Sequence, residues 1–356
     1  MRTDTVSISL AFLPYLPSGA RRDGFTRRTD HLPARAGWIP ATAAVVDRVR
    51  LGGGRTATTV RITTTEGTTR ILRQPGAATS PDSRHTASPA DRLAVEGEFY
   101  RLVQPWWPAV ADRMPTCIGV DRSDHVIALE DLGPSGPLTG LYHGASLSEA
   151  DADELAAYLV ALHGVPGSED ELGALRSDGV RLARHADRFE EPIAATRVEA
   201  LATRLPRLVR LVDALRTDVH IRATMRDLGG RFLEGTGTLL HGDFRPARWM
   251  PAPSGVRVLA PGLATAGPAA LDVGFFLAHL VLAGQPHELL SGVLHRYRRG
   301  AMLDIAEVSA CAGLEIIRGR LGAEPVPGDP APHRLEAELE YATRLLRGGA
   351  TVETPL

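Results

Sequence analysis

Leu239-Leu240-His241-Gly242-Asp243-Phe244-Arg245-Pro246, then residues 256–259, then Asp272-Val273-Gly274, is the text on which the reading of this 356-residue chain turns. Short apolar runs are separated by turn residues, and one turn carries a histidine, an aspartate and an arginine together. Between Asp243 and Asp272 no other acidic residue occurs. The longest apolar run, residues 273–283, is too short to span a bilayer and reads as a core helix.

Outward from this stretch the chain divides in two. Ser148 followed by Asp151 makes a capping-box start for a helix whose Leu155, Leu159 and Leu162 share one face before His163-Gly164 ends it. Further amphipathic stretches cover about residues 197–216, with Pro206 as a kink, and residues 287–299, 304–321 and 332–347, the last closed by Gly348-Gly349. Before Gly133 the text is strand-like: residues 45–51, the triple glycine Gly52-Gly53-Gly54, residues 58–65, a turn at Glu66-Gly67, then residues 68–72. A loop at 75–89 leads to a helix around 91–104, and a strand at 125–129 ends at Glu130-Asp131-Leu132-Gly133. Residues 1–43 lack sustained periodicity and read as a flexible arm. The expected organisation is α+β: an arm at 1–43, a small sheet-rich lobe at 44–130 and a larger helical lobe at 131–350.

Composition removes several chemistries. With 44% hydrophobic and 23% charged residues the chain fits a soluble globular class. Its 40 basic and 42 acidic residues leave a net charge of −2, which gives no electrostatic reason to expect nucleic acid or an anionic membrane. All basic residues apart from histidine are arginine, since the chain contains neither lysine nor asparagine. A P-loop lysine, a Schiff base and a lysine general base are therefore excluded, because arginine stays protonated. Cys117 and Cys311 have no partners at zinc-like spacing, and a reducing, cytoplasmic setting fits them. At the start, Asp4, Pro14 and Pro17 argue against a secretory signal. His279, His287 and His295 form no ligand set, because Gly284 and Pro286 break the helix between them. No G-x-S-x-G elbow occurs. Trp106-Trp107 reads as a packed anchor at the lobe edge.

The stretch from Leu239 to Gly274 resembles the catalytic core of the aminoglycoside phosphotransferase and choline kinase-like superfamily, whose pattern is H-G-D-x-H-P-x-N, a strand ending in D-x-E, and a later aspartate. Glu130-Asp131-Leu132 is similar to the inter-lobe hinge, Leu162-His163-Gly164 to the helix end before the catalytic half, and Glu96 with Phe99-Tyr100 to the small-lobe glutamate helix. The resemblance covers about residues 45–347 and implies a two-lobed, protein-kinase-like fold with ATP between the lobes. It places Gly52, Gly53 and Gly54 over the phosphates, Arg73 in a pair with Glu96, Glu130 and Leu132 at the hinge, Asp243 at the base position and Asp272 at the structural aspartate. A triple glycine is equally at home in a plain turn.

The magnesium ligands do not carry over. Arg248 stands where the pattern has asparagine, and Ala260 and Gly262 stand where it has the aspartate and glutamate of D-x-E. Magnesium wants oxygen ligands; alanine offers none, and a guanidinium repels the ion. The resemblance therefore implies a pseudokinase-type member, a binding or scaffold component for a small molecule or peptide. Bacterial specialised metabolism, possible peptide modification and a protein partner from the same pathway are expectations of that reading. A second reading is an active ATP-dependent phosphotransferase acting on a hydroxyl. A third is a metal-free enzyme for a phosphorylated or anionic ligand, held by Arg245, Arg248 and Arg73 with Asp243 as base.

Overall fold

The computed structural model describes residues 32–54, 57–76, 88–166, 172–173, 175 and 177–356. Its small lobe begins with a single helical turn, α1 (Leu32–Arg35), followed by β1 (Val45–Gly54), β2 (Ala57–Thr64) and β3 (Thr69–Pro75). Alternation decides β2, where Val60, Ile62 and Thr64 are buried on one face and the residues between them lie nearer the surface. Helix α2 (Pro89–Val103) starts at Ser88, whose hydroxyl accepts from the Asp91 amide at 3.0 Å. A short α3 (Pro108–Ala111), β4 (Cys117–Asp121) and β5 (Val126–Leu129) complete an antiparallel sheet in the order β1-β2-β3-β5-β4. Strand β4 is absent from the sequence reading because it alternates half-buried and exposed positions without an apolar run.

Two expectations about this lobe change. The triple glycine is no separate loop: β1 continues through it, with Gly53 opposite Thr58 and Gly54 opposite Ala57. Residues 55 and 56, between the strands, lie outside the described residues, as do 1–31 of the expected arm. The rest of that arm belongs to the lobe. Leu32, Trp38 and Ile39 are buried and pack with Val60, Ile62, Leu72 and Val126. Their contacts come entirely from the sheet, so no local period announces them. Of the tryptophan pair, Trp107 packs on the core, while Trp106 is 73% exposed.

The large lobe opens with a 3₁₀ segment, Leu138–His143, and then α4 (Glu149–His163), capped by Ser148 as expected. Next come α5 (Asp178–His185), a π turn (Ala186–Glu190), α6 (Ala195–Ala202), α7 (Arg207–Thr217) and α8 (Val219–Glu234). Pro206 breaks the expected long helix into α6 and α7 rather than kinking it. Two short antiparallel pairs follow: β6 (Thr238–Leu240) with β9 (Thr265–Gly267), and β7 (Trp249–Ala252) with β8 (Gly255–Val258). The lobe closes with α9 (Ala270–Leu282), α10 (His287–Arg298), α11 (Ile305–Leu321) and α12 (Pro332–Leu346). Every residue of α9 is buried, which makes it the spine of the lobe. Among the described residues no helix is long and apolar enough to cross a membrane.

Candidate functional site

Asp272, in the first turn of α9, holds the loop between β6 and β7. It is fully buried; its Oδ2 accepts from the His241 amide at 2.6 Å and its Oδ1 from the Gly242 amide at 3.0 Å. Behind it His163 Nε2 lies 3.4 Å from Oδ2, and the Tyr297 hydroxyl lies 2.7 Å from His163 Nδ1. His241 bridges within the loop, with Nε2 at 3.0 Å from the Leu259 carbonyl and Nδ1 at 3.2 Å from the Asp243 amide. A neutral ring that donates from Nε2 and accepts at Nδ1 satisfies both, in keeping with burial that pushes its pKa down. Gly242 has φ +76°, and a Cβ there would stand 2.0 Å from the Leu263 carbonyl oxygen. Only glycine fits this corner. On the far side, Arg188 Nη2 (2.8 Å) and Arg184 Nη2 (3.2 Å) donate to the Gly242 carbonyl, with Arg188 lying 3.9 Å over the Phe275 ring.

The loop so held presents Asp243, 4% exposed, to the cleft. Both of its oxygens are taken by arginines. Arg245 Nε sits 2.9 Å from Oδ1, and Arg248 brings Nε and Nη2 each to 2.8 Å from Oδ2. Burial pushes this carboxyl upward, but the guanidiniums of Arg245, Arg248 and Arg184 outweigh it and hold the pKa well below the ordinary aspartate value. A general base needs a free lone pair toward its proton and a pKa near the working pH. In this arrangement Asp243 Oδ2 accepts from Arg248, Oδ1 faces Arg245, and the carboxyl stays ionised. Arg248 thus turns inward onto the carboxylate, placed by the 3₁₀ turn Pro246–Arg248.

Across the cleft the expected small-lobe pair is present: Arg73 Nε lies 2.9 Å from Glu96 Oε1, and Nη2 donates to Oε2 at 3.0 Å. Between the two ion-pair groups lies a cavity of about 20 Å³, lined by Arg73, Arg92, Glu96, Arg248, Ala260 and Gly262 among others. That is room for about one water molecule. The D-x-E positions close it from below. Ala260 takes φ +57°, unusual for a residue with a Cβ. At Gly262 a Cβ would stand 2.8 Å from the Arg92 carbonyl oxygen, so a glutamate there requires the lobes to separate. The donor set does not fit magnesium. Arg248 and Ala260 offer no oxygen, and among the described residues no three His, Cys, Asp or Glu side chains cluster to hold a metal ion.

The structure thus brings Asp243, Arg245, Arg248, Arg73 and Glu96 to one cleft. Glu130 turns to Thr116, accepting from its amide at 2.9 Å and its hydroxyl at 2.8 Å; neither Glu130 nor Leu132 lines the cavity. Gly52, Gly53 and Gly54 belong to the β1 edge described above. Sequence reasoning missed Arg92, Arg184 and Arg188. It also missed the hinge ion pair Arg61–Asp131 at 2.7 Å, and a buried chain behind Arg245: Tyr142 hydroxyl to His279 Nδ1 at 2.8 Å, His279 Nε2 to Glu315 at 3.1 Å, and Arg318 Nε to Glu315 at 2.8 Å. Nothing marks these arginines out in a chain of forty basic residues that are all arginine.

A small antiparallel lobe, a helical lobe and an H-G-D loop anchored by a helix-borne aspartate together define the kinase-like phosphotransferase fold. The chain belongs to the phosphotransferase enzyme family, whose sequence profile matches residues 47–308. Methylthioribose kinase 1 of Oryza sativa subsp. japonica is 27% identical over 182 residues, which are 48% of this chain and 42% of that protein. A methylthioribose kinase of Bacillus cereus is 35% identical over 77 residues, 22% of this chain and 20% of that one. The chain therefore matches less than half the length of these curated relatives. Among solved structures, a macrolide 2'-phosphotransferase from Brachybacterium faecium has a TM-score of 0.51 at 18% identity, over 90% of this chain and 98% of its own. A spectinomycin phosphotransferase, solved with ADP and spectinomycin, has a TM-score of 0.53 at 12% identity, over 85% and 94%. These likenesses show the fold.

Proposed function

We propose that this member of the phosphotransferase family does not transfer phosphate, and that its cleft instead receives an anionic group of a small molecule or peptide without a metal. The observation that carries this reading is Arg248: at a metal-ligand position, it holds the second oxygen of Asp243 at 2.8 Å. One residue thereby occupies the base and repels the cation that phosphoryl transfer uses to neutralise phosphate charge. Arg73 and Arg248 line the cavity already paired with Glu96 and Asp243, and Arg92 adds a third guanidinium to its wall, which favours an anion. On this reading the protein is a binding or scaffold component, acting in the cytoplasm beside a partner from the same pathway, in bacterial specialised metabolism. A second reading, an active ATP-dependent kinase, draws on one observation: the Arg73–Glu96 pair stands as an ATP site needs it.

Isothermal titration separates the two. Inorganic pyrophosphate binds without metal, and Arg248→Ala weakens it by about tenfold, the worth of one charge-assisted contact. ATP shows no gain in affinity when magnesium is added. Magnesium-dependent ATP binding at micromolar concentration, with hydrolysis above background, overturns the proposal in favour of the kinase.

A further inference from the structure

A second cavity lies away from the H-G-D loop. It measures about 690 Å³ and opens between α5 with its π turn, α7, α8 and the end of α11. Residues 241–248 contribute nothing to its wall. Its floor is apolar, built from Phe189, Ile193, Leu215, Ile221, Met225 and Ile317. Its rim is not: Arg216, Arg222 and Arg226 stand exposed along one side, and none of them has a carboxylate partner among the described residues. The lining also carries two carboxylates, Glu190, whose Oε1 lies 3.1 Å from His185 Nδ1, and Glu191. A cavity of this size with an apolar floor and a few convergent polar groups has the form of a small-molecule site.

We infer that this cavity binds an amphipathic anion, its apolar body on the Phe189 and Met225 floor and its anionic head between Arg222 and Arg226. Charge decides the class of head group. Three guanidiniums stand against two carboxylates at the wall, and the two arginines one helical turn apart on α8 form a fork suited to an oxyanion. The site is independent of the reading of the catalytic cleft. It is nevertheless one element away from it, because the two turns that supply His185 and Phe189 to the wall also supply Arg184 and Arg188 to the Gly242 carbonyl.

The test uses the full chain and anilinonaphthalene sulfonate, an aromatic anion that fluoresces when its body leaves water. Its signal saturates and is displaced by decanoate, while decanol at the same concentration leaves it in place. The double variant Arg222→Glu/Arg226→Glu, at exposed positions that leave the fold intact, raises the decanoate concentration for half displacement by about tenfold, since each rim charge is worth up to about 1 kcal/mol. Met225→Trp fills the cavity and removes the displaceable signal; if it lowers the melting temperature, the arginine variant decides alone. Arg296→Glu, at an exposed position on α10 that lines neither cavity, changes nothing. Equal displacement by decanol, an unchanged half-displacement concentration in the Arg222/Arg226 variant, or the same rise in Arg296→Glu overturns the inference.

Discussion

Two carboxylates face each other across the cleft, and their surroundings differ by one guanidinium. In the small lobe Glu96 meets Arg73 alone, one charge against one, with side chains 2% and 17% exposed. In the large lobe Asp243 is shared by Arg245 and Arg248, which remain 26% and 23% exposed, with Arg184 adding to the positive field. The first pair is electrically closed. The second carries surplus positive charge and keeps its guanidiniums partly exposed to solvent, which is what the proposed anion binding draws on. A kinase site depends on the reverse arrangement at that place, where a metal cation stands and the aspartate is free. The small lobe is therefore built like its family's, and the departure sits in the residues that supply counter-charge in the large lobe.

The comparison can be broken most directly at its closed pair. Glu96→Gln leaves Arg73 largely buried without a counter-ion and lowers unfolding free energy by about 3 kcal/mol in urea denaturation. A loss under about 1 kcal/mol would mean that the two sites are not energetically different. Arg248→Ala tests the crowded site: one ion pair is lost, and the repulsion between Arg245 and Arg248 goes with it, so stability at neutral pH changes by no more than about 1 kcal/mol. Acid titration sharpens the same variant. Because the folded Asp243 pKa is depressed, its stabilising contribution is complete above the ordinary aspartate value of 3.8 and disappears as pH falls through the lower folded value. Removing Arg248 raises that folded value, so any stability difference from the unaltered chain lies above pH 3.8 and closes below it; a difference that persists unchanged into acid would place the arginine's effect elsewhere. The smallest effect is at Ala260. Ala260→Gly relieves the φ of +57° against the greater freedom of glycine in the unfolded chain, for a net gain of about 0.5 kcal/mol, read as a rise in melting temperature. A fall would show that the Ala260 methyl packs more tightly than its backbone is strained.

Much of the scaffold was legible because its signals are local. Ser148 and Ser88 each accept from an amide three residues on, and Asp304 caps α11 in the same way. The buried helix at 270–282 follows from an unbroken apolar run. Helices α5 and α8 were not read: both are rich in arginine, and their buried positions are too few to impose a clear period on the text. Residues 32–43 escaped for a related reason, since Trp38 and Ile39 find their partners only in the sheet.

Chemical inventory was the sequence's own contribution: one acidic residue in the H-G-D loop, arginine in place of asparagine, alanine and glycine in place of two carboxylates, and no lysine anywhere. Those residue types leave no side-chain oxygen at positions 248, 260 and 262 whatever the fold does with them, because a donor atom is either present or not. Direction was decided by tertiary structure alone. Whether Arg248 faced solvent or Asp243, and whether Gly262 was a lost ligand or a place for the Arg92 backbone, depended on how the 3₁₀ turn and α2 close on the loop. An ion pair forms only within a few ångströms, and that distance is set by the packing of segments remote in sequence.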